Sequence, residues 1–161
     1  MSIVTKNKQI FIHFPKTAGT YIERIFDNDG ITYKKELSSK ENAPIYNDQH
    51  GSKHCDVCYQ KYPADIYERF FFIREPVSWY RSYISFKIET RKFNKTNWFD
   101  KLIMKRLSYT NFSPKAFNDF FEYLLHKDRS PYIEFLYKLV NPNTRVYRYE
   151  NLHDSLYKNS I

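Results

Sequence analysis

The segment Phe11-Ile-His-Phe-Pro-Lys-Thr-Ala-Gly-Thr20 decides the fold of this chain. Residues 9–14 form a short apolar run that stops at Pro15, which predicts a buried strand. Apolar side chains then recur at helical spacing over residues 20–26, so a helix is expected to follow. A strand, a tight loop and a helix N-terminus bring unpaired backbone N–H groups and a positive dipole end to one point. The segment therefore predicts a loop that binds a phosphate-like anion.

The loop residues add their own chemistry. Lys16 carries a full positive charge, Thr17 and Thr20 carry hydroxyl groups, and Gly19 is expected to let the backbone approach a ligand. The loop is not a Walker A motif, because its lysine precedes the glycine. An ordinary strand–turn–helix without a ligand is the alternative that the loop by itself leaves open.

Length and composition limit the class of protein. The chain has 161 residues, 42% of them hydrophobic, which suits one domain with its own core. The net charge of +8 favours an anionic partner but does not select one. We find no apolar stretch long enough for a transmembrane helix and no signal peptide, so a cytoplasmic location is expected. Cys55 and Cys58 are too close for a framework disulfide, which agrees with a reducing compartment.

The rest of the chain alternates strands with helices. Residues 69–73 and 144–149 are expected to be strands, and the first is apolar on both faces, as in a central parallel strand. Pro76 suits the first turn of a helix, which is predicted over residues 77–91, and another helix is predicted from Ser113, whereas residues 92–105 look like a basic surface insertion. This pattern predicts a three-layer α/β/α fold with a central, mostly parallel sheet.

The segment from His13 to Thr20 resembles the 5′-phosphosulfate loop of the carbohydrate sulfotransferases, including the heparan-sulfate 2-O type, whose usual form is I-H-x-P-K-T-[AG]-[GS]-[TS]. These enzymes use 3′-phosphoadenosine 5′-phosphosulfate (PAPS) and have a P-loop NTPase-like fold. The resemblance implies that Lys16 contacts the phosphosulfate and stabilises the leaving phosphate. It also implies a cofactor-binding loop made of Pro15, Lys16, Thr17, Ala18, Gly19, Thr20 and Tyr21.

A second segment begins where Arg74 leaves its predicted strand. An arginine fork and a nearby hydroxyl can hold one phosphate together. The segment resembles the family's 3′-phosphate motif, R-[DEN]-P-x-x-x-x-x-S, which Arg74, Pro76 and Ser82 match. Many members carry an arginine where this chain has Trp79, and Arg81 falls two positions later. The role of Arg81 therefore stays open.

Sulfuryl transfer needs a base for the acceptor hydroxyl, and histidine titrates in the right range. The family often has a Lys-His pair about twenty residues before the 3′-phosphate arginine, and Lys53-His54 stands at that distance. His54 is therefore the candidate base and His50 the second choice, and a surface histidine without function is the alternative. His13 lies in the predicted strand and is expected to orient the loop.

A third segment, Arg148-Tyr-Glu-Asn-Leu152, resembles the family's [RK]-[YF]-E-[DN]-L sequence. The resemblance makes Tyr149 a candidate adenine contact and Glu150 a structural anchor. Family members usually continue into a part that closes over the nucleotide. This sequence ends at Ile161, so we expect a single domain over residues 1–161 without that part.

The function predicted from these segments is transfer of a sulfuryl group from PAPS to a hydroxyl, on a carbohydrate acceptor. Adenosine 3′,5′-bisphosphate (PAP) is the expected product, and no metal is required. A non-catalytic basic module that binds nucleotide, nucleic acid or acidic glycan is the main alternative, because basic and aromatic residues mix at residues 91–98 and 101–109. Nucleic acid is the less favoured partner.

A zinc site, a redox site and a nucleotide kinase are less favoured by the sequence. His50, His54, Cys55 and Cys58 are potential zinc ligands, and the two cysteines form a redox-type C-x-x-C. All four ligands in one short run would converge poorly if residues 53–62 are helical. A nucleotide kinase would need the missing Walker A residues and a magnesium carboxylate.

Overall fold

The computed structural model describes residues 2–36, 62–63, 65–93, 95, 97–107, 113–127, 130–139 and 143–158. This part of the chain is an α/β structure with one five-stranded mixed sheet and six α-helices. The strands are β1 Ser2–Thr5, β2 Gln9–Ile12, β3 Tyr33–Glu36, β4 Glu68–Ile73 and β5 Thr144–Arg148. The helices are α1 Gly19–Asn28, α2 Pro76–Thr90, α3 Trp98–Arg106, α4 Pro114–Leu125, α5 Pro131–Leu139 and α6 Leu152–Lys158. A 3₁₀ turn at Tyr149–Asn151 joins β5 to α6.

The strands lie in the order β3-β1-β2-β4-β5. Neighbours β2, β4 and β5 are parallel, with Phe11 opposite Phe70 and Phe72 opposite Tyr147. β1 runs antiparallel to both β2 and β3. The predicted α/β class is confirmed, but the sheet is mixed, and its parallel part is the half formed by β2, β4 and β5.

The sheet is mixed and not mostly parallel because strand β1 pairs antiparallel with both of its neighbours. No strand was predicted before residue 9, yet Ser2–Thr5 form one, and all four of its residues are buried. A tight turn follows, in which Lys8 has a positive φ of 61° and Thr5 Oγ1 accepts a hydrogen bond from the Gln9 N–H at 3.2 Å. Such a short connection can join only antiparallel neighbours, because a parallel crossover needs a dozen or more residues.

Apolar side chains cover both faces of the sheet. Phe71 of β4 packs into a cluster with residues of α2, α3, α4 and α5. Phe70 and Phe72, which point the other way along the same strand, pack with residues of α1 and α6. The sheet therefore lies between two layers of helices.

The prediction of a surface insertion at residues 92–105 is wrong, because helix α3 forms there. Asn97 caps it, since its Oδ1 accepts hydrogen bonds from the N–H groups of Phe99 at 2.8 Å and Asp100 at 3.0 Å. Phe99 and Asp100 are fully buried. The Asp100 carboxylate forms an ion pair of 2.8 Å with Lys87 of α2, which is itself buried. The helix was not predicted because the many charged residues of this stretch suggested an exposed surface, although one side of the helix is buried.

The other predicted elements of the described chain were confirmed. The expected strands correspond to β2, β4 and β5, and the helices expected after residues 19, 75 and 113 correspond to α1, α2 and α4. Helix α5 was not predicted, and the helix expected at residues 53–62 lies almost wholly outside the described residues. None of the helices in the described part of the chain has the length and apolar character that crossing a membrane requires.

Candidate functional site

The three segments singled out from the sequence emerge at one edge of the sheet. β2 leads into the loop at residues 13–18, β4 leads into Arg74, and β5 leads into Tyr149. These strands are parallel neighbours, so their carboxyl ends lie side by side. Ligands of open α/β sheets bind in the crevice outside such ends. This edge is therefore the candidate functional site.

The loop between β2 and α1 has an uncommon backbone conformation. Lys16 and Ala18 have positive φ values of 61° and 59°, a region that residues with side chains adopt at a cost. Thr17, between them, is buried, and its Oγ1 donates a hydrogen bond to the Phe14 carbonyl at 2.8 Å. The Thr17 hydroxyl therefore holds the turn. A ligand contact at this residue would come from its backbone N–H.

Gly19 is required by the packing beneath the loop. A Cβ at this position would lie 2.1 Å from Nε2 and 2.3 Å from Cδ2 of His13. The imidazole thus occupies the space that any side chain at residue 19 would need. The sequence predicted that Gly19 lets the backbone approach a ligand. In the structure, the group that lies close to Gly19 is the His13 imidazole. This contact agrees with the orienting role predicted for His13.

The N-terminus of α1 is suited to an anion. Its N-cap residue, Ala18, makes no side-chain capping hydrogen bond, and the first turn contains no acidic residue. The first N–H groups of a helix have no partner within that helix, and the dipole places partial positive charge there. Thr20 and Tyr21, in this first turn, are exposed. An anion at this end would meet backbone donors and no opposing carboxylate from the first turn.

Helix α2 packs against the loop. The indole Nε1 of the buried Trp79 donates a hydrogen bond to the Pro15 carbonyl at 2.7 Å. Two turns further along α2, the Phe86 ring centroid lies 4.2 Å from Nζ of Lys16. A cation over an aromatic face is stabilised by about 0.5–1 kcal/mol at an exposed site and by more when desolvated, and Lys16 and Phe86 are both half-buried. Helix α2 therefore positions both the turn and its lysine.

Arg74 is held by groups from three other elements. Its Nε donates a hydrogen bond to Ser78 Oγ at 2.8 Å, and its guanidinium carbon lies 5.0 Å from the Tyr149 ring centroid. The Tyr132 hydroxyl of α5 donates a hydrogen bond to the Arg74 carbonyl at 2.6 Å. Burial raises the pKa of Tyr132 to about 12, so this phenol remains a donor at neutral pH. The second and third segments are thus in direct contact through Arg74.

Two carboxylates at this edge support the backbone. Glu75 caps α2 by accepting hydrogen bonds from the N–H groups of Val77 at 2.9 Å and Ser78 at 2.7 Å. Glu150 Oε1 in turn accepts the Glu75 N–H at 3.0 Å. This hydrogen bond, helped by the charge of Arg74, lowers the pKa of Glu150 below its ordinary value of 4.5. The contact agrees with the predicted anchoring role of Glu150.

Ser78, and not Ser82, is the hydroxyl hydrogen-bonded to Arg74. Ser82 lies one helical turn beyond Ser78, on the same side of α2. Its role as a phosphate ligand stays a prediction. Ser78 could have been found from its position one turn before Ser82. No sequence signal pointed to Trp79 or Phe86, because aromatic residues in a helix are usually core residues.

The candidate bases and zinc ligands cannot be placed in this geometry. His50, His54, Cys55 and Cys58 lie outside the described residues. Within the described ranges, no group of three or more His, Cys, Asp or Glu side chains is arranged to hold a metal ion.

Comparison of the chain with protein-family models, with curated proteins and with solved structures finds no match. The fold and the site define the class of protein at a coarse level, as an α/β protein with three candidate ligand-binding segments at the carboxyl edge of its parallel strands. The activity must therefore be inferred from the chemistry of the residues at that edge.

Proposed function

We propose that this protein is a PAPS-dependent sulfotransferase with a P-loop NTPase-like fold, which transfers a sulfuryl group to a hydroxyl of a carbohydrate acceptor. The supporting observation is the convergence of three segments at one sheet edge, with Arg74 in contact with Tyr149 and Trp79 bound to the loop. The three segments come from distant parts of the sequence. A nucleotide with phosphates at both its 5′ and 3′ positions needs such a divided site.

The first part of the proposed site holds the 5′-phosphosulfate. The N–H groups at the start of α1 and the ammonium of Lys16 would neutralise the charge that develops on the bridging oxygen and the departing phosphate. In the transfer, the acceptor oxygen bonds to sulfur while the bond between sulfur and the bridging oxygen breaks. The bridging oxygen keeps the electron pair, and the acceptor proton passes to a base, for which His54 is the candidate and His50 the second choice.

The second part of the proposed site distinguishes PAPS from ATP. The Nε of Arg74 is bound to Ser78, and its two terminal nitrogens would donate to the 3′-phosphate. Ser82, one turn away on α2, would add a hydroxyl donor. Tyr149, whose ring centroid lies 5.0 Å from the Arg74 guanidinium carbon, would contact the adenine.

Ligand-induced stabilisation tests the nucleotide assignment. At a concentration 100 times its Kd, PAP should add about 2.7 kcal/mol to the free energy of unfolding. For a chain of this size that is a rise in Tm of roughly 5–10 °C. ADP, which lacks the 3′-phosphate, should give a much smaller shift at the same concentration. Arg74→Gln should bring the PAP shift down to that of ADP, while Arg145→Gln, which removes an exposed arginine near the amino end of β5, should leave it unchanged. Equal shifts from PAP and ADP in the unaltered protein would remove the basis of the Arg74 assignment.

Turnover tests the role of Lys16. Loss of one charged donor at a developing anion costs on the order of 10²-fold or more in rate. Lys16→Ala should therefore reduce transfer from labelled PAPS to a responsive glycan by that factor. The matched control is Lys34→Ala, which removes an exposed lysine from the edge strand β3. Near-normal turnover of Lys16→Ala would contradict the catalytic role.

A non-catalytic basic binding module is the second candidate function. It is favoured by a basic and aromatic surface, where the Arg106 guanidinium and the Lys127 ammonium lie 4.0 Å and 4.6 Å from the Tyr123 ring centroid. Binding to RNA or DNA that falls steeply with salt, with no Tm response to PAP, would support this function over the first.

A further inference from the structure

A half-open cavity of about 290 Å³ lies between α2 and the start of α4. Its lining includes Arg81 and Ser85 of α2, Ser113, and Pro114 and Phe117 of α4. Arg81 is the residue whose role the second segment left open, and no step of the proposed transfer uses it.

The lining combines an apolar floor with polar groups. Phe117 is buried and stacks on Phe121, with ring centroids 6.1 Å apart and an interplanar angle of 7°. The Arg81 guanidinium carbon lies 5.4 Å from the Phe117 ring centroid. Ser113 Oγ accepts the Ala116 N–H at 3.1 Å, so its own hydrogen can be donated elsewhere. One guanidinium, two hydroxyls and the apolar side chains of Pro114 and Phe117 suit a ring that carries a single oxyanion.

The volume limits the ligand. Pockets that hold drug-sized molecules are roughly 300–1,000 Å³, and this cavity lies at the lower limit of that range. It can accommodate one ring with its substituents, while further units of a chain would lie outside it.

The position of the cavity relates it to the candidate site. Ser78, Ser82 and Ser85 are spaced four and three residues apart, so they lie along one side of α2. Ser78 contacts Arg74, and Phe86, next to Ser85, contacts Lys16. The cavity therefore adjoins the helix surface that faces both parts of the proposed PAPS site.

We propose that this cavity binds a single ring bearing one oxyanion, with Arg81 pairing with the anion and the apolar lining of Pro114 and Phe117 contacting the ring. A sugar acid and an aromatic acid share this chemistry. If the protein is the proposed sulfotransferase, the cavity is its acceptor subsite, and this assignment rests on the proposed function.

Titration of the isotope-labelled full chain, followed by amide chemical shifts, tests binding. Glucuronate represents the sugar acids and 4-hydroxybenzoate the aromatic acids, with glucose and phenol as their neutral counterparts. We expect at least one acid to shift resonances of α2 and α4 with a millimolar Kd, and its neutral counterpart to bind more weakly. Arg81→Gln should weaken the acid about 10-fold, the loss of one charge-assisted hydrogen bond. The acid that binds identifies the source of the ligand.

Controls make the test decisive. Arg145→Gln removes an exposed arginine of β5 and should not change binding, whereas Ser85→Val, which changes the lining without changing charge, should weaken the acid. Equal binding of acid and neutral compound, no effect of Arg81→Gln, or no shifts with any probe at tens of millimolar would each overturn the proposal.

The PAP-dependent rise in Tm is measured separately on the unaltered protein and on Arg81→Gln. If an acid binds but PAP does not, the cavity site stands and the sulfotransferase proposal fails. If PAP stabilises both proteins but no acid binds, the nucleotide site stands and the cavity proposal fails.

Discussion

Substitution of Gly19 by alanine gives the sharpest test of how the loop is held. The added methyl carbon would lie 2.1 Å from His13 Nε2, more than 1 Å inside the ordinary contact distance of 3.4 Å. Overpacking of this kind costs about 1–3 kcal/mol. Alanine is more favourable than glycine in a helix by about 0.5–1 kcal/mol, which offsets part of that cost. We therefore expect Gly19→Ala to lower the free energy of unfolding by about 1–2 kcal/mol.

The same substitution should change sign when the imidazole is removed. In a His13→Ala background the overpacking term disappears and only the helix preference remains. Gly19→Ala should then be neutral or stabilising by up to about 1 kcal/mol. The coupling energy between the two positions, from urea unfolding of the four proteins, should be about 1–3 kcal/mol. The PAP-induced rise in Tm should be smaller in the Gly19→Ala single variant, because the loop must move to accept the methyl group.

Two results would refute this reasoning. One is a Gly19→Ala variant with an unfolding free energy within a few tenths of a kcal/mol of the unaltered protein. The other is an equal cost of Gly19→Ala with and without His13, which would place the strain elsewhere in the loop. Unfolding slopes should stay constant across the four proteins, so that midpoints report stability alone.

Three further substitutions test the supports around the site. Asp100→Asn leaves the buried Lys87 ammonium without its carboxylate and should lower the free energy of unfolding by about 3–5 kcal/mol in urea denaturation. Trp79→Phe keeps most of the ring volume but removes the hydrogen bond to the loop, so it should cost about 1 kcal/mol and reduce the PAP-induced rise in Tm. Glu150→Gln should lower Tm at neutral pH. The folded-state pKa of Glu150 is depressed, so its carboxylate stabilises the fold above its ordinary pKa and this stabilisation is lost as pH falls through the folded pKa. The Tm difference between Glu150→Gln and the unaltered protein should therefore shrink below about pH 4.

Each of these substitutions has a contradicting outcome. The control for Asp100→Asn is Asp119→Asn, which breaks an exposed ion pair with Lys115 and should have little effect on the free energy of unfolding. Similar costs for the two variants would show that the buried pair is not a major support. If the PAP-induced rise in Tm is unchanged in Trp79→Phe, the hydrogen bond from the indole to the loop does not contribute to nucleotide binding. If the Tm difference between Glu150→Gln and the unaltered protein persists in acid, the substitution acts through packing and not through the charge of the carboxylate.

Much of the parallel half of the sheet could be predicted from the sequence, for local reasons. Residues 9–14 and 69–73 are apolar runs bounded by residues that stop a strand, and Pro76 marks a helix start. Such signals depend on neighbours in the chain and require no knowledge of the fold. The strand β1 lacked such signals, and the start signal of helix α3, its capping residue Asn97, stands in a stretch that is otherwise basic and polar. The burial of Ser2–Thr5 depends on pairing with β2 and β3, and the burial of Asp100 depends on a lysine from another helix.

In the candidate site, too, some residues could be identified from the sequence and others only from the structure. Lys16 and Arg74 were identified from the chemistry of their segments together with the resemblance to the carbohydrate sulfotransferases, and Tyr149 from that resemblance alone. Contacts across the fold, such as those of Ser78 with Arg74 and of Trp79 with Pro15, had no such signal.

Local sequence was enough to define the strand–loop–helix at residues 9–26 and the residue types that an anion-binding site needs. What holds these residues in place became apparent only in the tertiary structure. It placed β2, β4 and β5 side by side in parallel, which brought residues distant in the chain to one edge. It also placed the His13 imidazole against Gly19, so the glycine is a packing requirement of the loop. The physical reason is that local sequence sets backbone preference and periodicity, whereas steric exclusion and hydrogen bonds between elements exist only once the sheet and its helices have assembled.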